Sequence, residues 1–307
     1  MRPPLTRQLL EFGRTIRLSH TLFALPFALG TALVAEPPCP DGWSMALVVA
    51  CMVAARTAAM GMNRVADAVL DARNPRTADR AIPAGRLSRR GALAMTILSG
   101  AALLGLAWLF VPLRGNPWPG ILAPAFLVVL FGYSWTKRVT VLTHWLLGLC
   151  LGLAPVGVWI ALRAELNLLP ILIGGGVLFW TAGFDILYAL QDMEVDRREG
   201  LHSVPARLGP RGARWVAIGS HLVTILLLTN AIFYDGQPGK TPVLGDMSGF
   251  ALDVIALTLL IQHIRLRRAG PERIAAAFFP TNVAVSMMWL AGVVLDVVLG
   301  PGARLLP

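Results

Sequence analysis

Apolar runs of about 20 residues recur from one end of the chain to the other, and nearly all the charge is collected in the short stretches between them. A helix needs ~20 apolar residues to cross ~30 Å of hydrocarbon. The pattern therefore predicts nine membrane-spanning helices, at roughly residues 19–36, 44–66, 92–111, 120–135, 143–162, 167–189, 213–233, 248–264 and 275–299. The fourth and eighth are short and depend on their neighbours. The expected fold class is all-α, a polytopic membrane protein whose single transmembrane domain covers 1–307 with no soluble domain appended.

Two boundaries between apolar and polar sequence differ from the others. Residues 63–83 read NRVADAVLDARNPRTADRAIP, and residues 185–205 read DILYALQDMEVDRREGLHSVP. Each ends an apolar run with two aspartates four residues apart, Asp67 and Asp71 in the first, Asp192 and Asp196 in the second, and 125 residues separate the pairs. Helical spacing puts Arg56, Asn63, Asp67 and Asp71 on one stripe, and Asp185, Tyr188, Asp192 and Asp196 on another. Carboxylates at i,i+4 repel, so leaving them adjacent costs stability unless a cation intervenes. Hard oxygen ligands from two helix ends suit Mg2+, which keeps several waters and commonly bridges a carboxylate to a substrate phosphate. Arg64, Arg73, Arg76 and Arg80, with Lys137 and Arg138, offer forks and point charges for phosphate oxygens. Together they describe a diphosphate site at a membrane edge, with active loops at about 64–91 and 190–212. One such Asp pair among arginines reads as a solvated helix end, whereas two pairs, each ending an apolar helix, favour a shared site. Asp185 and Arg56 lie deeper, where an ionisable group is a functional candidate; they could instead pair with each other or with Asn63. Asp253 and Asp296 fall toward the far ends of their helices, and interfacial placement is expected for both.

Composition narrows the class. Hydrophobic residues make up 56% of the 307 and charged residues 14%, with a mean hydropathy of +0.65, whereas a soluble protein carries roughly a quarter charged residues. A net charge of +10 would suggest nucleic acid in a soluble protein. Here the charge sits in loops, where orientation and anionic lipid headgroups account for it, and no nucleic-acid motif accompanies it. With residues 1–18 cytoplasmic, 22 of the 27 Lys and Arg fall on that side and only Arg114, Arg163, Lys240 and Arg304 on the other. This positive-inside split places both acidic stretches at the cytoplasmic face. Cys39, Cys51 and Cys150 form no CxxC pair and support neither a disulfide framework nor a zinc site. Val34-Ala35 could pass for a leader cleavage site, but eight further spans make an uncleaved first helix the expectation.

The same residues carry a family resemblance. The first stretch resembles the Asn-x-x-x-Asp-x-x-x-Asp signature of the UbiA superfamily of intramembrane aromatic prenyltransferases, and the second resembles its Asp-x-x-Tyr-Ala-x-x-Asp-x-x-x-Asp signature. The likeness covers nearly the whole chain, including the Arg17 stretch IRLSHTLFALPFA, the GYSWTKR loop (132–138) and EGLHSVPARLG (199–209). It implies about nine helices around a central cavity opening to the cytoplasmic side of a bacterial inner membrane, with the N-terminus cytoplasmic. It further implies that Asn63, Asp67, Asp71, Asp192 and Asp196 hold Mg2+ and, through it, a polyprenyl diphosphate. Arg76, Arg80, Lys137 and Arg138 would contact the diphosphate or close the cap. Arg17, Arg56, Asp185 and Tyr188 would surround an aromatic acceptor. Val195 stands where many relatives have a third acidic residue, while Glu194 is acidic instead.

Within the superfamily, HTLFALPFA, DARNPRTADRAIPAG and DILYALQD resemble most the bacterial 4-hydroxybenzoate polyprenyltransferase branch, then its close relative in the futalosine route to menaquinone, whose acceptor is a dihydroxynaphthoate, and less the haem O and chlorophyll synthases. The implied partners are a polyprenyl diphosphate, a phenolic acid and the lipid bilayer, without nucleic acid. The implied chemistry is ionisation of an allylic C–O bond, with Mg2+ and guanidinium groups stabilising the departing diphosphate. The allylic cation would be sheltered by aromatics such as Tyr133, Trp135, Phe179, Trp180 and Phe184, although each alone reads as a packing or lipid-facing ring. Two rival classes are an ion-coupled transporter using the intramembrane Asp and Arg residues, which would set them near the midplane on broken helices, and a silent lipid-binding scaffold.

Overall fold

The computed structural model describes residues 5–16, 18–238, 242–267 and 270–300. Every regular element among them is helical. The chain begins with α1 (Leu5–Ile16), a 3-10 turn (Leu18–Phe23) and α2 (Leu25–Ala35). There follow α3 (Gly42–Arg73), α4 (Arg89–Trp108), the short α5 (Phe110–Arg114), α6 (Trp118–Thr136) and α7 (Thr143–Arg163). Next, α8 (Leu168–Ala189) runs through a 3-10 turn (Leu190–Asp192) into α9 (Met193–Arg198), before α10 (Val204–Asp235), α11 (Asp246–Leu266) and α12 (Pro271–Leu299). Eight of these runs are long and apolar enough to cross a membrane, and a ninth is reached if the bent N-terminal pair counts as one span.

That ninth span, expected over 19–36, is broken. Pro26 occupies the second position of α2; it has no N–H to give and its ring opposes continuation of a preceding helix, so a new helix starts there. Helix α1 is amphipathic and buries Phe12 and Ile16 against Val65, Ala81, Leu87 and Ala92. Helix α10 starts nine residues earlier than its apolar run, because Ser203 accepts from Ala206 N–H as an N-cap and Gly209 at φ 67° permits a kink just before Pro210.

The helices pack as a ring. α4 packs on α3, α3 on α6, α6 on α7, α7 on α8, α8 on α10, α10 on α11 and α11 on α12, while α2 lies between α12 and α7. The α7–α8 contact is close, because Gly148 and Gly152 face the carbonyls of Leu178 and Gly174, leaving no room for a Cβ. A core including Phe27, Trp180, Ile173, Val177, Trp289 and Val293 fills the end of the bundle around α2. Asp296 lies there too, in the last turn of α12. It is wholly buried, accepting backbone N–H bonds from Gly245, Met247 and Ser248 at 2.8, 3.1 and 2.8 Å. It thus caps the N-terminus of α11 from a neighbouring helix.

Candidate active site

A cavity of about 910 Å³ occupies the other end of the ring. Its wall takes Arg56, Asn63, Arg64, Asp67 and Asp71 from α3, Arg76 and Arg80 from the turn that follows, and Lys137 from the end of α6. Asp185 and Tyr188 of α8, then Asp192 and Asp196, complete it. The two acidic stretches therefore meet in one chamber. The second stripe is not one continuous helix, since Leu190–Asp192 tightens to 3-10 geometry before α9, yet its four residues still face the same space. Arg138 is not on the wall and reaches the site through Asp67. Arg17 lies outside the described residues.

Each motif carboxylate meets its own cation. Asp67 accepts from Asn63 Nδ2 at 3.0 Å and Arg138 Nη2 at 2.9 Å. Asp71 accepts from Arg80 Nη1 at 2.6 Å, with Arg64 3.7 Å away. Asp192 is held by an Arg76 fork at 2.9 and 2.5 Å and by Asn74 Nδ2 at 2.8 Å. Asp196, almost fully buried, pairs with Lys137 Nζ at 2.7 Å and accepts from Ser203 Oγ at 2.7 Å. Asn74, Arg76, Lys137 and Arg138 each tie one motif or loop to another distant in sequence. Burial alone would pull the Arg76 pKa down, but the Asp192 hydrogen bonds and charge more than offset it, and the guanidinium stays charged. Arg76 also lies 5.3 Å from the Tyr188 ring centroid and donates to its hydroxyl.

No cluster of three or more His, Cys, Asp or Glu side chains placed to hold a metal by themselves occurs among the described residues. The donor set fits Mg2+: four hard carboxylates face one chamber, and Asn63, whose Nδ2 is engaged by Asp67, keeps its amide oxygen for another partner.

Deeper in the chamber the chemistry changes. Arg56 lines the wall and its Nε is buried without a partner. It pairs with neither Asp185 nor Asn63, the two partners its sequence position allowed. Asp185 instead meets His144, Nδ1 to Oδ2, at 2.7 Å. Of the aromatics expected to shelter a cation, Tyr133 and Phe184 line the chamber, and Trp135, Phe179 and Trp180 do not. Trp135 is 44% exposed on the outside of α6, and Trp180 is fully buried against Phe27. Helical phase is the reason, since Thr181, Phe184, Asp185 and Tyr188 share the inward face of α8 and residues 179 and 180 do not. Phe23 and Phe278 take the empty places, with ring centroids 5.7 and 5.4 Å from Phe184. His144, Asn74, Ser203, Phe23 and Phe278 were missed from the sequence. Only Asn74, beside the first motif, carried a local signal.

The UbiA prenyltransferase family matches residues 24–291. The 4-hydroxybenzoate solanesyltransferase of Synechocystis is 28% identical over 235 residues, 76% of either chain. The protoheme IX farnesyltransferase of Azorhizobium caulinodans is 28% identical over 258 residues, 80% of this chain and 79% of that one. The apo structure of a UbiA homolog from Aeropyrum pernix superposes with a TM-score of 0.79 at 30% identity, covering 91% of this chain and 98% of that one. A UbiA homolog from Archaeoglobus fulgidus bound to GPP and Mg2+ shares the fold, with a TM-score of 0.63 at 18% identity over 92% and 99% of the two chains.

Proposed function

The chain belongs to the UbiA prenyltransferase family and is an aromatic prenyltransferase, and on that premise we propose that it moves a polyprenyl group from polyprenyl diphosphate to a ring carbon of a phenolic carboxylate of the 4-hydroxybenzoate type. This is a step of quinone biosynthesis, placed in the bacterial inner membrane with the N-terminus and the chamber mouth cytoplasmic. The observation that carries the reading is the division of one chamber into an acidic and basic mouth and a deeper aromatic part holding Arg56, whose buried Nε has no hydrogen-bond partner among the described residues. The Archaeoglobus homolog's GPP and Mg2+ support the same assignment of the mouth.

Asn63, Asp67, Asp71, Asp192 and Asp196 are the residues to hold Mg2+, which when bound supplies neutralising charge to a diphosphate leaving group. Arg76, Arg80 and Lys137, now each on a carboxylate, line the same mouth to take phosphate oxygens, and Arg138 acts there through Asp67. As the allylic C–O bond breaks, its electron pair leaves with the diphosphate, and these cations stabilise the charge that grows there. The π faces of Tyr133, Phe184 and Tyr188 line the space for the allylic cation. Arg56 offers its fork to the acceptor's carboxylate, with Tyr188 and Asp185 on the same wall beside the ring. The ring carbon forms the new C–C bond and then loses its proton. The apolar tail lies among the helices, which is why the site belongs in a membrane.

The test incubates membranes bearing the protein with Mg2+, polyprenyl diphosphates of several lengths and a panel of phenolic acids, and identifies products by mass spectrometry. Prenylated 4-hydroxybenzoate is the expected product. Product from a dihydroxynaphthoate alone reassigns the acceptor, and no product from any phenolic acid refutes the reading.

A further inference from the structure

We propose that His144 is a positioning residue that holds Asp185 as the acceptor of the proton the aromatic ring must lose. This rests on the prenyl transfer proposed above and assigns its final step.

His144 sits in the first turn of α7, with its side chain 2% exposed. Its Nε2 accepts the backbone N–H of Val204 at 3.2 Å. A ring nitrogen that accepts carries no hydrogen, so the neutral imidazole has its proton on Nδ1. That proton is donated to Asp185 Oδ2 at 2.7 Å. The tautomer is thus set by the start of α10, where Ser203 is itself fixed by its bond to Asp196. Among the described residues Asp185 has no other hydrogen bond, so Oδ1 remains for a ligand. Its side chain is 26% exposed and faces the chamber beside Thr181, Phe184 and Tyr188. A carboxylate in an apolar wall keeps a useful geometry only if something orients it, and His144 supplies that fixed donor.

After C–C bond formation the ring carbon bears both the new chain and its hydrogen. The C–H bond breaks, its electron pair restores the aromatic ring, and the proton joins Asp185 Oδ1, giving a neutral acid that returns the proton to water at the chamber mouth. His144 keeps its own proton throughout and touches no substrate.

The experiment uses the full chain with Mg2+, farnesyl diphosphate and 4-hydroxybenzoate, either unlabelled or deuterated at the two ring carbons beside the hydroxyl. Wild type shows no isotope effect, because ionisation limits the rate. His144→Leu lowers kcat about 10- to 100-fold, the range for losing a group that orients a functional ligand, and reveals a primary isotope effect while farnesyl diphosphate affinity is unchanged. His144→Asn, whose amide N–H takes the place of Nδ1–H, restores most of the rate and suppresses the isotope effect; His144→Gln, which places its N–H at the Nε2 position, does not. The Asn and Gln variants decide the matter should the Leu variant fail to fold. Slowing without an isotope effect, or equal behaviour of Asn and Gln, overturns the inference. A wild type inert toward the benzoate overturns the function proposal, and this step with it.

Discussion

Asp192 shows how much of the site rests on single side chains. It takes three hydrogen bonds from residues more than 100 positions away, two from Arg76 and one from Asn74. Asp67→Asn or Asp192→Asn is expected to cut product formation by at least about 100-fold, the scale of losing a group that stabilises transition-state charge, with the protein still inserted and monodisperse in detergent. Unchanged product yield in either variant would reject the metal assignment. Arg56 invites the opposite kind of variant. Arg56 is half-buried with no carboxylate paired to it among the described residues and its Nε buried without a partner, which costs stability, so Arg56→Met should raise the melting temperature. The same change should raise KM for the phenolic acid about 10- to 100-fold, from loss of a charged hydrogen bond of about 1.5–3 kcal/mol. A lower melting temperature would mean that Arg56 is a structural residue. The Asp pairs were legible because i,i+4 spacing at an apolar boundary has a narrow set of physical excuses. His144 was not, because a lone histidine opening an apolar helix gains its meaning only from Asp185 and Val204, both far along the chain.

At the scale of helices, α3 sets the depth of the site. Its 32 residues span about 48 Å at 1.5 Å each, more than the ~30 Å hydrocarbon core, so its last turns carry Asp67 and Asp71 clear of the lipid interior. The sequence pattern ended this helix at 66 because the period of apolar residues stops there, although the backbone does not. The α7–α8 contact is sensitive to volume. Gly148→Leu or Gly174→Leu would drive a side chain into a neighbouring carbonyl, costing about 3 kcal/mol or more, and is expected to abolish recovery of folded protein as well as activity. Asp296→Ala separates fold from function: three N–H groups at the start of α11 lose their partner, so thermal stability falls by about 1–3 kcal/mol. KM values for both substrates should stay put, since the cap lies at the end of the bundle away from the chamber.

The whole molecule has two unlike ends, and that asymmetry can be read without substrate. Cys39 is exposed before α3, while Cys51 and Cys150 lie within the helices. About 45 Å of helix separates the start of α3 from Asp71. A membrane-impermeant maleimide added to intact spheroplasts should label Cys39 and neither other cysteine, and a cysteine introduced at Asp79 should react only after the membrane is opened. Labelling of both sites from one side would overturn the orientation. Removing divalent cations with EDTA should abolish turnover without lowering the amount of folded protein, because each motif carboxylate already has a cation of its own to balance it.

The order of apolar and polar residues determined the class, the number of spans within one, the orientation to be tested and both acidic motifs, because hydrocarbon thickness and helical period act on short stretches of chain. Pro26 even marked where the first span breaks, although its apolar flanks hid the signal. Only the tertiary structure decided which aromatic rings face the chamber, that Arg56 pairs with neither Asp185 nor Asn63, that Asp296 is a buried cap and that His144 is locked between α8 and α10. Those outcomes depend on the rotational phase and depth of helices packed against partners dozens or hundreds of residues away, and no local period in the chain records them.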